Sequence, residues 1–147
     1  MGKTAYTGPL YGAKQTLASI RVSDISSGAG NGVSTSLSVF LCPLGEDWYG
    51  TEFSYHRQST GSTGIEFSVQ DDGTKFSSIT ITSSAADQLG YVSITADAGE
   101  YEGRRIAAGS TVSFNIVQSS VAPASSGVSL ALYGYRRFIS SSLARGE

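Results

Sequence analysis

From Thr16 to about Tyr135 apolar residues recur at every second position, and the three-to-four-residue spacing of a helix appears almost nowhere. Successive side chains of a strand point to opposite faces, so each apolar row is hidden only when its strand lies against a second layer. Ala18, Ile20 and Val22 form one such row. Val33, Thr35, Leu37, Val39 and Leu41 form another, with Ser34, Ser36 and Ser38 on the opposite side.

The pattern continues with Phe53 and Tyr55 against Ser54 and His56, and with Ile65, Phe67 and Val69 against Glu66, Ser68 and Gln70. Asp71-Asp72-Gly73-Thr74 offers a turn in which Gly73 takes positive φ, which predicts a hairpin of Ile65–Gln70 with Phe76–Ser83. Rows at Ile79 and Ile81, at Val92, Ile94 and Ala96, at Val112, Phe114 and Ile116, and at Val128, Leu130 and Leu132 complete the set. About eight short strands separated by Gly, Ser, Asp and Pro turns predict an all-β fold, an antiparallel β-sandwich of jelly-roll type with extended N- and C-terminal arms. No fixed repeat supports a solenoid.

The predicted divisions are an N-terminal arm over residues 1–15, the sandwich over 16–138 and a C-terminal tail over 139–147. The first segment carries Tyr6, Pro9, Leu10 and Tyr11 among glycines, too apolar for a free linker and too irregular for a strand, and suits an arm lying along a partner. Ser119–Gly127 reads as a connection across the sandwich, and Ser27–Gly32 as the exposed end of a hairpin.

Composition limits the partners. In 147 residues only 15% are charged and the formal net charge is -2, so no general attraction to phosphate or to an anionic membrane is expected. The basic pairs Arg104-Arg105 and Arg136-Arg137 fit salt bridges or an interface better than a phosphate track. Cys42 is the single cysteine, so no intrachain disulfide forms and assembly in a reducing cytoplasm fits. The start Met1–Tyr6 lacks the apolar core of a signal peptide, and no apolar run is long enough to span a bilayer.

Catalytic motifs are weak. His56 is the single histidine, and no Gly-x-Ser-x-Gly elbow presents a serine beside it. One His and one Cys do not close a zinc site, and Asp71-Asp72 and Asp97–Glu100 lack the spacing of a calcium loop, so both read as turns. Glu52, Glu66 and Asp47 are the carboxylates a glycoside hydrolase would draw on, without a pairing signal. No metal, cofactor or catalytic residue is expected. Aromatics supply the remaining constellation: Trp48, Tyr49 and Tyr55 in the first half, and Tyr133, Tyr135 and Phe138 near the end. Such rings stack on sugars or build protein interfaces. In Val128–Phe138, Leu130 and Leu132 take one face and Tyr133 and Tyr135 the other, as in a strand covered on both sides, one of them by another subunit.

The start Met1–Gly12 with its arm Thr4–Gly12, the Ser-, Thr- and Gly-rich strands through Gln118 and the tail after Phe138 together resemble virion proteins of tailed bacteriophages, in particular small jelly-roll capsid decoration (cement) proteins. The resemblance is one of style across the whole chain. It implies a non-enzymatic homotrimer on the outer capsid surface of a virion, assembled in the host cytoplasm and clamping neighbouring copies of a major capsid protein, without nucleic acid or membrane. Its interface would use Tyr6, Pro9, Leu10, Tyr11, Tyr133, Tyr135, Arg136, Arg137 and Phe138. The competing reading is a carbohydrate-binding module of a phage tail or bacterial surface protein, with Trp48 as the stacking ring.

Overall fold

The Asp72-Gly73 turn forms as expected. In the computed structural model, which describes residues 11–25, 33–60, 63–96, 103–118 and 125–138, Asp72 and Gly73 both have positive φ, 48° and 84°. Two such residues in a row give the turn whose twist matches that of its strands. They join β4 (Ile65–Asp71) to β5 (Thr74–Thr80), with Phe67 opposite Ile79. Asp72 Oδ1 accepts from the Thr111 amide at 2.8 Å and the Thr111 hydroxyl at 3.0 Å, tying the turn to Thr111.

The other strands are β1 (Tyr11–Ile25), β2 (Val33–Leu41), β3 (Glu46–Arg57), β6 (Gln88–Ser93), β7 (Arg104–Ile106), β8 (Thr111–Gln118) and β9 (Ser125–Phe138). They make two antiparallel sheets, one ordered β1-β9-β3-β6 and the other β2-β8-β4-β5. Late strands β8 and β9 each lie between an early and a middle strand, so the chain wraps on itself as a jelly roll. The short strand β7 pairs with Trp48–Gly50 of β3, while β6 pairs with Glu52–Arg57 farther along. Three residues with two arginines carry no apolar row, so β7 has no alternation to mark it among the predicted strands.

The sequence placed Tyr11–Gln15 in the arm, but these residues are strand. Tyr11 pairs with Arg136 and Gln15 with Gly134, across an irregular register. At a sheet edge the backbone ladder forms without an apolar row, and Ala13–Thr16 are exposed. Tyr6, Pro9, Leu10, Ser27–Gly32, Asp97–Glu100 and the tail over 139–147 lie outside the described residues.

Most inward rows meet as predicted, but the row expected to end at Leu41 does not hold: the register of β2 shifts between Leu37 and Val39, so Phe40 packs against the core and Leu41 is 58% exposed. Phe53, Phe67, Val69, Val112, Phe114, Val128, Leu130 and Leu132 are fully buried. Phe53 stacks on Phe114 across the sheets with centroids 6.0 Å apart, and Tyr55 meets Phe67 at 5.5 Å. Each such buried ring contributes about 1.5–3 kcal/mol relative to exposure. A register shift in β3 between Gly50 and Glu52 inserts one residue, so the inward row passes from Trp48 and Gly50 to Phe53, Tyr55 and Arg57. Arg57 is therefore drawn fully inside, where its Nη2 donates to the carbonyls of Ser83 and Ala85 and pins the β5–β6 connection.

Candidate functional site

The basic pairs come first, because the fold brings both beside the start of β3. Arg105 Nε donates to Asp47 Oδ2 at 2.9 Å, and the other carboxylate oxygen accepts from the Ala108 amide at 3.1 Å. Arg136 lies 3.6 Å from Glu46 Oε1 and 5.7 Å above the Trp48 ring. Arg137 donates to the Tyr49 hydroxyl at 3.1 Å, and Arg104 reaches Asp71 at 3.6 Å with its guanidinium 5.0 Å from the Phe76 ring. Each arginine is held by an acid or a hydroxyl of the protein itself. That matches the salt-bridge reading of these pairs.

The aromatic constellation splits. Trp48, Tyr49 and Tyr55 are buried, at 4%, 1% and 7% exposure, so none presents a ring face to a sugar. This corrects the expectation that Trp48 serves as a stacking platform. The reason is the pairing of β3 with β9 on one side and with β6 and β7 on the other, which places β3 in the middle of its sheet. The second group behaves differently: Tyr133 and Tyr135 are half-buried on β9 and Phe138 is 61% exposed. Tyr11 opposes Arg136 across the β1–β9 ladder, so the described residues Tyr11, Tyr133, Tyr135, Arg136, Arg137 and Phe138 gather at one end of two neighbouring strands.

The titratable groups are spread apart. His56 Nε2 lies 3.8 Å from Asp87 Oδ1, both at the surface. Glu52 faces Lys14 at 3.8 Å on the first sheet, and Glu66 faces Lys75 at 3.3 Å on the second. Cys42 is buried, its thiol donating weakly to the Glu46 and Ile106 carbonyls at 3.4 and 3.7 Å, and burial pushes it up to about 11. A thiol so placed stays protonated and inert at neutral pH. The two bonds from Thr111 hold the Asp72 carboxyl below the usual range, in keeping with a turn-capping role. Among the described residues no group of three or more His, Cys, Asp or Glu converges as a metal site would require.

Two features escaped the sequence. Leu89 and Tyr91 on β6 are 73% and 68% exposed, and Leu41 and Leu44 are 58% and 82% exposed near the β2–β3 turn. Leu89 and Tyr91 stand out of phase with Val92 and Ile94, and that clash of phase was the available signal. The second feature is a cleft of about 400 Å³ where the edges of the two sheets face each other, between Phe76–Ser78 of β5 and Val92–Thr95 at the end of β6, with Arg104 at its border.

No protein-family model matches the chain, and no curated protein matches it. Solved structures do. A family 35 carbohydrate-binding module from an environmental isolate aligns over 90% of this chain and 88% of its own at 10% identity, with a TM-score of 0.47. The family 6 module at the C-terminus of LamC, a laminarinase of Zobellia galactanivorans, aligns over 81% of this chain and 98% of its own at 15% identity and a TM-score of 0.39. The infectious bursal disease virus VP2 subviral particle aligns over 83% of this chain and 33% of its own at 17% identity and a TM-score of 0.41.

Proposed function

We propose that the protein is a non-enzymatic structural component of a virion, which decorates and stabilises a phage capsid by trimerising and clamping neighbouring major capsid proteins from the outer surface. The observation that carries this reading is the end of β9, where Tyr133, Tyr135 and Arg137 share one face, Phe138 is 61% exposed at the last residue, and Tyr11 lies opposite Arg136 in the ladder. Half-buried tyrosines beside arginines and an exposed phenylalanine have the composition of an interface core, where aromatics and Arg are enriched. Covering the remaining 61% of Phe138 adds about 1–2 kcal/mol per copy. Three copies acting together multiply such weak contacts through effective concentration. In this reading Tyr6, Pro9 and Leu10 also contact the partner.

The test is sedimentation of the purified protein alone and with emptied capsids. A trimer that co-sediments with capsids, loses binding on deletion of residues 1–12 and binds about tenfold more weakly as Phe138→Ser supports the reading. A monomer that ignores capsids refutes it. A carbohydrate-binding role has one observation in its favour, the exposed Tyr91 ring at the end of a row formed by the small residues Ser54, Ala131 and Ser19. Glycan-array binding abolished by Tyr91→Ala, with no capsid binding, would select that role instead.

A further inference from the structure

We infer that the outer edge of β6, together with the cleft beside it, is a strand-addition site for an extended peptide segment of another protein, one that carries an acidic side chain toward Arg104. The inference stands apart from the capsid reading and concerns a different edge of the molecule.

Among the described residues β6 pairs with β3 alone, and none of them forms a strand along its other edge. Proteins ordinarily guard such edges with lysine, proline or a bulge. Gln88-Leu89-Gly90-Tyr91-Val92-Ser93 has no charge and no proline, and its pairing with β3 is regular. The edge is also apolar on both phases. Leu89 and Tyr91 stand 73% and 68% exposed on one side, while Val92 and Ile94 pack partly against the core on the other. An added strand would cover the first pair with one set of alternate side chains and send the other set into the cleft.

The cleft has the matching shape. It runs beside Val92–Thr95, a stretch of about 13 Å when extended, and its opposite wall is β5, the edge strand of the second sheet. Phe76, Val92 and Ile94 give it apolar surface, and Ser77, Ser78 and Ser93 give it hydroxyls. Arg104 supplies the charge. Its anionic partner Asp71 is 3.6 Å away, beyond ordinary hydrogen-bond length, and its Nε is shielded from water without an acceptor. The Arg104 side chain is 32% exposed, so the outward part of its guanidinium can take a second carboxylate beside Asp71, the anion for which it is the preferred receptor. A saccharide in the cleft would use the hydroxyls and Arg104 but leave the backbone edge and Leu89 unused, so a peptide accounts for more of what is there.

The probe is a fluorescein-labelled hexapeptide of alternating valine and threonine with glutamate at one cleft-facing position, alongside versions with glutamine or lysine there. Fluorescence anisotropy should show the glutamate peptide binding at least about fivefold more tightly than the glutamine one, and the lysine peptide weakest. Arg104→Gln should erase that preference, and Leu89→Lys with Tyr91→Lys should abolish binding while the circular dichroism spectrum stays unchanged. Amide hydrogen exchange along Leu89–Ser93 should slow when the peptide is bound. Binding without a charge preference, or with no protection of β6 amides, overturns the inference. So does a β6 edge already occupied by a second copy in solution, or a cleft that takes neutral or acidic oligosaccharides and none of the peptides.

Discussion

Replacing Trp48 by alanine separates a core residue from a ligand platform more cleanly than any other change. The indole is 4% exposed, its Nε1 donates to Glu46 Oε1 at 2.7 Å, and the Arg136 guanidinium lies 5.7 Å from the ring while reaching the same carboxylate at 3.6 Å. Loss of a buried Trp costs about 3–5 kcal/mol through lost transfer energy and the cavity left behind. The bond to a charged acceptor adds about 1.5–3 kcal/mol, though the two overlap, and Arg136 remains to hold Glu46. About 4–6 kcal/mol is the expected loss, a large part of the 5–15 kcal/mol typical of a domain. Trp48→Phe keeps one six-membered ring but loses the pyrrole half of the indole with its donor, so it should lose about 1–3 kcal/mol. Urea denaturation followed by far-ultraviolet circular dichroism measures both. If Trp48→Ala retains stability to within about 1 kcal/mol and instead loses affinity for a sugar, the burial argument fails and the ring is a binding surface.

Two further tests follow from local geometry. A Cβ on Gly134 would sit 1.9 Å from the Tyr49 carbonyl oxygen, which is sheet backbone and does not yield, whereas a Cβ on Gly50 would meet only the movable Leu132 Cδ1 at 3.0 Å. Gly134→Ala should therefore lose about 3 kcal/mol or more in thermal or urea unfolding and Gly50→Ala about 1 kcal/mol; equal effects would contradict the geometry. Burial raises Cys42 from near 9 to about 11, so the folded state holds the thiol proton more tightly than the unfolded chain does. Its contribution is complete below about pH 9 and declines toward pH 11, so the stability of wild type relative to Cys42→Ala should fall across that window. Iodoacetamide labelling at pH 8 should proceed no faster than the protein opens.

The alternation of Ile65, Phe67 and Val69, of Val112, Phe114 and Ile116, and of Val128, Leu130 and Leu132 decided by itself that the chain is a layered β-protein and which side of each strand is buried. The Asp72-Gly73 turn was equally legible. Both are local: a period of two and a pair of positive-φ residues are written within a few consecutive positions. The edge segment Tyr11–Gln15 was misread for the complementary reason, since its pairing to β9 leaves no apolar row to see.

Arg104, Arg105 and Arg136 reach acids and Arg137 a hydroxyl, and these partners, Asp71, Asp47, Glu46 and Tyr49, lie on strands whose order no single segment specifies. Only the tertiary structure decided that Trp48, Tyr49 and Tyr55 are interior, because one inserted residue in β3 and a central place in its sheet determine what those rings face. It alone decided that Arg57 is enclosed and that Leu89 and Tyr91 are not. The cleft beside β6 exists because wrapping carries β5 and β6 to facing edges of different sheets. A site made of residues from separate strands is a property of how the strands are ordered, and that order follows from packing across the whole sandwich.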